Sequence, residues 1–350
     1  MVGEVPRIGL YCDLRNPGGS RAWPDVYRRT LDRVAEAERR GLPAVWATEH
    51  HGFADGYLPQ PLTFAAAAAA RTTQMRIGTA IVIAPLVHPR ALAEQAAIVD
   101  LLSDGRLELG LGAGYREDEF AGFGVDRSRR FETLEAVAAR LPELWSSGAV
   151  TPPPAQRPLP IWIGGRGPRC ARIAGRLGAG LLWLDRELWT IYRDTLAASG
   201  HDTDSARVGG LVNVFLADDP EAALAEIREQ GRHNRRSYDS GDAGRHRSGT
   251  DGVRGGRGDA RRDRDSTGDA RRDRGRSHDS GSGPLLRLEV LSPADAAEKI
   301  AEAIDGMPVT DIFCFERIGA LEGELVDRHV ELLCDALPPA LAARLAATSS

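Results

Sequence analysis

No apolar run in this sequence comes near the roughly 20 residues that a membrane-spanning helix requires. The longest, "LTFAAAAAA" at 62–70, reaches about half that length. The amino terminus, "MVGEVPRIGLYCDL", lacks a basic flank leading into an apolar core and a small-residue cleavage site, so it does not read as a secretory signal. Cysteine is scarce as well. Cys12, Cys170, Cys314 and Cys334 stand far apart without a C-x-x-C pair, which argues against a zinc site or redox dithiol and predicts buried, reduced thiols. Neither sign of charge dominates: 45 Lys and Arg against 50 Asp and Glu leave a net charge of −5, so no global field favours nucleic acid or an anionic membrane. The expectation is a soluble, cytoplasmic protein whose partner is a small molecule.

What the sequence does contain is a repeated alternation of short apolar strands with amphipathic helical stretches. "RIGLYCDL" precedes a helix over 25–41, "AVWATEH" a helix over 59–72, "MRIGTAIVIAP" a helix over 89–104, and "RLELGLGAG" a helix over 129–146. After the proline-rich "TPPPAQRPLP" the pattern resumes: "IWIGG" and a helix over 168–178, "GLLWL" and a helix over 187–199, "VGGLVNVFLAD" and a helix over 220–236. The helix "SPADAAEKIAEAID", the strand "TDIFCF" and a closing helix over 323–345 complete the series. Strands that are apolar throughout suit a parallel sheet covered by helices. Eight such strands predict an α/β fold of the (β/α)8 TIM-barrel type, with 1–350 as one domain.

Residues 239–284 break the pattern, being built almost wholly of Gly, Ser, Asp and Arg, with "GDARRDR" at 258 and again at 268. Such a composition has nothing to bury, so a disordered insertion after the seventh strand is expected. Asp nearly balances Arg here, which leaves little for a nucleic-acid backbone to bind.

In a barrel of this kind, chemistry sits where strands end at the C-terminal face. Strand two ends in "TEHH", placing Glu49, His50 and His51 at that mouth, and histidine is the side chain best suited to moving a proton near neutral pH. A histidine at such a place either moves protons, caps the next helix or is solvated. The functional role is assigned to His50 and the structural one to His51. "GLGAGYREDEF" spaces Gly110, Gly112 and Gly114 as G-x-G-x-G rather than G-x-G-x-x-G, and Glu117, Asp118 and Glu119 would repel a pyrophosphate. These glycines are expected to let a planar ring approach the backbone. "IGGRGPRCAR" offers Gly164, Gly165, Arg166 and Gly167 before a helix opened by Pro168, with Arg169 beside them: a helix start and guanidinium groups suited to a phosphate, or else an ordinary tight turn. Neither H-E-x-x-H nor G-x-S-x-G occurs, so neither a zincin nor a serine-hydrolase elbow is indicated.

"VWATEHHGF", "RIGTAIVIAPLVHPRALAEQAAIVDLLSDGRLELGLGAGYREDEFAGFG" and "PIWIGG" together resemble the bacterial luciferase-like family of flavin-dependent monooxygenases. The resemblance runs over about 7–236 and resumes at about 288. It implies an enzyme that takes reduced FMN from a separate flavin reductase, forms a C4a-peroxyflavin with dioxygen and oxygenates a small organic substrate. It further implies that His50 is the catalytic histidine, that Ala80 and Ile81 form a non-prolyl cis peptide against the flavin, and that the phosphate rests on the 164–167 turn with Arg129 or Arg130 as further anchors. Related barrels use the deazaflavin F420 and transfer hydride without oxygen, which is the alternative. Light-emitting relatives carry an arginine near Ala113 and a cysteine near Gly112, and many relatives have serine where Gly167 stands. Phosphate binding here therefore falls to Arg166, Arg169 and backbone groups, and light emission is not expected. The resemblance also implies a homodimer through the Ala-rich helix at 62–71.

Overall fold

The computed structural model describes residues 5–228 and 288–348. The chain runs β1 (Arg7–Cys12), α1 (Trp23–Arg39), β2 (Ala44–Ala47), α2 (Pro61–Ala69), β3 (Arg76–Thr79), β4 (Val82–Ile83), α3 (Pro89–Leu102) and β5 (Leu107–Gly112). It continues through α4 (Glu117–Phe123), α5 (Arg130–Ser146), β6 (Ile161–Gly164), α6 (Pro168–Leu177), β7 (Gly180–Leu182), α7 (Arg186–Ala198), β8 (Val208–Leu211) and β9 (Val214–Leu216). After a helical stretch at 220–228, α8, come β10 (Glu289–Leu291), α9 (Pro293–Ile304), β11 (Val309–Phe315), α10 (Glu324–Asp335) and α11 (Leu337–Thr348).

The sheet closes on itself. β11 pairs in parallel with both β1 and β8, and β3 with both β2 and β5, so eight parallel barrel strands form a ring in which β3 and β4 are the two halves of one strand. This is the (β/α)8 architecture expected from the alternating pattern.

Side chains rather than space fill the ring, as is usual for this fold. The indole of Trp46 meets that of Trp162 edge-on at 5.9 Å and stacks on Phe313 at 5.1 Å, while Tyr11 also stacks on Phe313, at 5.0 Å. Both tryptophans fit because neighbouring strands carry glycine. A Cβ at Gly78 would lie 2.2 Å from the Trp46 ring, and one at Gly180 would lie 2.3 Å from Trp162.

The N-terminal end of the barrel is closed by charge. Buried Glu108 accepts the Trp162 indole N–H at 2.8 Å and bonds Arg7 and Arg76, while Arg7 also grips Asp311 at 2.8 and 2.9 Å. Arg207 lies over the Trp162 ring at 4.6 Å. Outside the ring, helices turn one apolar face inward, as α1 does with Val26, Val34 and Ala37 and α6 with Ile173 and Ala174. Each large apolar side chain so buried contributes roughly 1.5–3 kcal/mol.

Three elements depart from the sequence pattern. "VGGLVNVFLAD" is two strands: β8 stays in the barrel, whereas β9 leaves it to pair with β10, an element the pattern did not predict. The helix expected over 323–345 is two helices, because Pro338 and Pro339 lack the N–H groups a continuous helix would use and are tolerated in the first turn of a new one. A short helix, α4, stands in what reads as a loop after β5. The insertion predicted over 239–284 lies outside the described residues.

All four cysteines are free and buried, and burial pushes the Cys170 thiol up to about 11 and the Cys314 thiol up to about 12. Among the described residues no helix is long and apolar enough to cross a membrane.

Candidate active site

β2 delivers the opening residues of the site. Its last apolar residue, Ala47, is followed by Thr48, whose N–H bonds the Cys12 carbonyl at 3.3 Å, and by His50, whose N–H bonds the Leu58 carbonyl at 3.0 Å. These bonds hold the "TEHH" segment as ordered backbone at the barrel mouth.

Two carboxylates organise the two imidazoles. Oε1 of Glu119, from α4, lies 2.8 Å from Nδ1 of His50 and also accepts the His51 backbone N–H at 2.9 Å. Oε1 of Glu49 lies 2.8 Å from Nε2 of His51, and its Oε2 accepts the Ile83 N–H at 2.6 Å. The His51 ring is thereby committed to a contact within its own segment, rather than capping a helix or standing in solvent. Aromatic rings wall in His50, with Tyr57 at 4.7 Å, Phe53 at 5.1 Å and Tyr115 at 5.6 Å between centroids.

Beside this group the peptide between Ala80 and Ile81 is cis. The Tyr11 hydroxyl donates to the Ala80 carbonyl at 2.8 Å, and the Ala80 N–H bonds Ala47 at 2.8 Å, so β1 and β2 both hold the segment between β3 and β4. The Ile81 side chain fits between two strand ends. A Cβ at Gly112 would stand 2.6 Å from Ile81 Cγ1, and one at Gly164 would stand 2.3 Å from Ile81 Cγ2. On the side where a Cβ would stand, the room these glycines leave is taken by Ile81. Gly114, at φ +67°, packs toward Phe120 and Ile83 instead.

β6 then leads into α6 through Gly165 at φ +148° and Gly167 at φ +107°, conformations that favour glycine. Pro168 opens the helix, and no side chain caps its first N–H groups. Arg130 and Arg169 lie over the same Phe131 ring, at 4.6 and 5.2 Å, which brings the start of α5 to the start of α6. Arg166 is exposed. Arg129 is placed otherwise: it is solvent-exposed, pairs with Glu132 at 3.0 Å and borders an outer-surface groove of about 670 Å³ with Pro89, Asp126 and Arg140. Of the two arginines proposed as anchors, Arg130 shares the Phe131 ring with Arg169 of α6 and Arg129 does not.

Two buried polar groups on β2 and its end, the Trp46 indole N–H and the Thr48 hydroxyl, make no hydrogen bond. Glu119 and Tyr11 are the residues that sequence reasoning missed. Glu119 stood in a run of three acids that the structure separates, with Glu117 exposed, Asp118 paired with Arg116 and Glu119 turned inward. The available signal was helical phase, since Glu119 adjoins Phe120 on the buried side of α4.

Residues 7–310 match the family model described as luciferase-like monooxygenase. The chain is 28% identical over 188 residues to the oxygenase component of a flavin-dependent trigonelline monooxygenase from Acinetobacter baylyi, covering 49% of this chain and 52% of that one. It is 29% identical over 228 residues to an F420-dependent glucose-6-phosphate dehydrogenase from Kineococcus radiotolerans, covering 57% of this chain and 67% of that one. The matched stretch thus spans between about half and two thirds of the length of these relatives. Among solved structures, the monooxygenase RslO1 from Streptomyces bottropensis superposes with a TM-score of 0.73 at 21% identity, covering 95% of this chain and 99% of that one, a likeness of fold.

Proposed function

Because this chain belongs to the luciferase-like monooxygenase family, we propose that it is a reduced-flavin-dependent monooxygenase that uses FMNH2 and dioxygen to oxygenate a small organic substrate. The observation that carries this reading is His50, held through Nδ1 by Glu119 at the barrel end where the 80–81 peptide and the start of α6 also lie.

The residues suit the cofactor. Uncapped N–H groups at the start of α6, with the guanidinium groups of Arg130 and Arg169 beside them, form a donor set for a phosphate, to which Arg166 adds charge. The buried Trp46 N–H and Thr48 hydroxyl are polar groups that a bound ring or its waters would satisfy. When bound, the reduced flavin would supply the electrons and the site of oxygen activation. His50 has Nδ1 committed to Glu119, so it would take up a proton from the ligand, and return it, at Nε2. Phe53, Tyr57 and Tyr115 restrict water around that ring.

Supply of FMNH2 by a separate reductase belongs to the same proposal. So does a homodimer, for which the exposed Ile98, Leu101 and Leu102 of α3 provide apolar surface next to α2. Hydride transfer with F420 is the second reading, favoured by the similarity to the F420-dependent dehydrogenase.

Anaerobic titration with FMNH2 and, separately, with reduced F420, followed by stopped-flow mixing with oxygen, decides between them. An oxygen-dependent absorbance transient that requires both protein and FMNH2 supports the monooxygenase. Tight F420 binding without such a transient moves the assignment to hydride transfer. His50→Ala should retain flavin binding and lose turnover by about a hundredfold or more.

A further inference from the structure

We infer that Glu119 is the positioning residue for His50: its carboxylate fixes the neutral imidazole in the form protonated on Nδ1 and so directs proton exchange to Nε2. The inference deepens the proposed function and rests on the role assigned there to His50. Oε1 of Glu119 already accepts the His51 N–H at 2.9 Å, so it meets His50 Nδ1, 2.8 Å away, as an acceptor. The ring nitrogen must then carry the hydrogen.

The arrangement is dedicated. The Glu119 side chain is wholly buried, its Oε2 makes no hydrogen bond, and among the described residues the carboxylate bonds only residues 50 and 51. The neighbouring couple is built the other way round: His51 presents Nε2, not Nδ1, to Glu49. Two adjacent histidines are therefore held in opposite tautomers by two carboxylates 70 residues apart in sequence. For His51 the bonded nitrogen is the distal one, which ties up the end of the ring. For His50 it is the proximal one, and the hydrogen carried there makes Nε2 the basic nitrogen of the neutral ring. A carboxylate that merely pinned the loop would need the His51 N–H alone.

The test is nitrogen NMR of protein carrying 15N-labelled histidine, at a pH where the rings are neutral, with the His50 signals identified by their loss in His50→Ala. The expected wild-type spectrum has a protonated Nδ1 and an unprotonated Nε2 at His50. Glu119→Leu should shift that ring toward the Nε2-protonated form, whereas Glu119→Gln, whose amide oxygen still accepts, should preserve it. In turnover, Glu119→Leu should lose at least about tenfold at unchanged KM, part of the roughly 10²–10⁴ that a positioned acid–base group contributes. Glu119→Gln should restore most of it.

A wild-type His50 protonated on Nε2 overturns the inference, as does Glu119→Leu with both tautomer and turnover retained. Should the leucine variant fail to fold, the wild-type spectrum and the glutamine variant still decide. The spectra need no flavin, so a failure of the proposed reaction is told apart from a failure of this inference.

Discussion

The hydroxyl of Tyr11 donates to the carbonyl oxygen of Ala80 across 2.8 Å, tying β1 to the junction of β3 and β4 on the far side of β2. Tyr11→Phe keeps the ring that stacks on Phe313 and removes only the donor. The expected loss is about 1–2 kcal/mol in urea denaturation of the flavin-free protein. An unchanged midpoint would mean that water replaces the bond without cost.

Gly164 has no room for a methyl group, since its Cβ would stand 2.3 Å from Ile81 Cγ2. Gly164→Ala should destabilise by about 1–3 kcal/mol through overpacking. Trimming the neighbour in the double variant Gly164→Ala/Ile81→Ala should recover part of that loss, which a double-mutant cycle reads directly. Gly122 gives the contrast: it lies in α4 with nothing near its Cβ, and Gly122→Ala should stabilise by about 0.5–1 kcal/mol.

Arg106 is a buried guanidinium among carbonyls rather than carboxylates. Nη1 donates to Thr72 Oγ1 and the Met75 carbonyl, both at 2.8 Å, and Nη2 donates to the Thr72 carbonyl at 2.9 Å and the Ala69 carbonyl at 3.2 Å. It thereby closes the chain leaving α2, at the cost of desolvation, which lowers its pKa from the ordinary arginine value. Arg106→Ala leaves several buried acceptors unpaired, and a loss of about 3 kcal/mol or more is expected. Arg106→Lys should recover less than half, because an ammonium cannot reach the same fork of acceptors. Equal denaturation curves for the lysine variant and the native protein would refute the need for that fork.

His329 makes stability depend on pH. Its Nδ1 accepts the Leu216 N–H at 2.8 Å, its Nε2 donates to the Phe315 carbonyl at 2.9 Å, and its ring stacks on Phe215 at 4.0 Å. Burial lowers its pKa to about 4, and protonation of Nδ1 would also break the bond to Leu216. The unfolded chain binds this proton near 6.5, so the neutral ring's contribution is complete above about 6.5 and is lost as pH falls toward about 4. The loss comes to about 3 kcal/mol over that window. Denaturation midpoints measured from pH 7 to 4 should fall less steeply in His329→Gln than in the native protein. Parallel slopes would assign the acid sensitivity to other groups.

The barrel was legible because its strands are short apolar runs that end where polar residues begin, and "TEHH" marks such an end without ambiguity. The partner of His50 was not. Glu119 lies 69 residues away, and only the phase of α4 separates it from the two acids before it. The departure of β9 was hidden for a related reason: no glycine or proline marks the break at Val212 and Asn213, and the partner strand Glu289–Leu291 is remote in sequence. Local pattern reports burial, whereas these features are set by which distant segment supplies a hydrogen-bond partner.

The floor built on Glu108 has a kinetic meaning. With arginines, carboxylates and the Trp162 indole filling one end, a ligand of this barrel would have to enter and leave by the other. Two molecules meeting over His50 would then have to pass that same end one after the other. Such queueing would be imposed by a carboxylate at the opposite end of the barrel from His50.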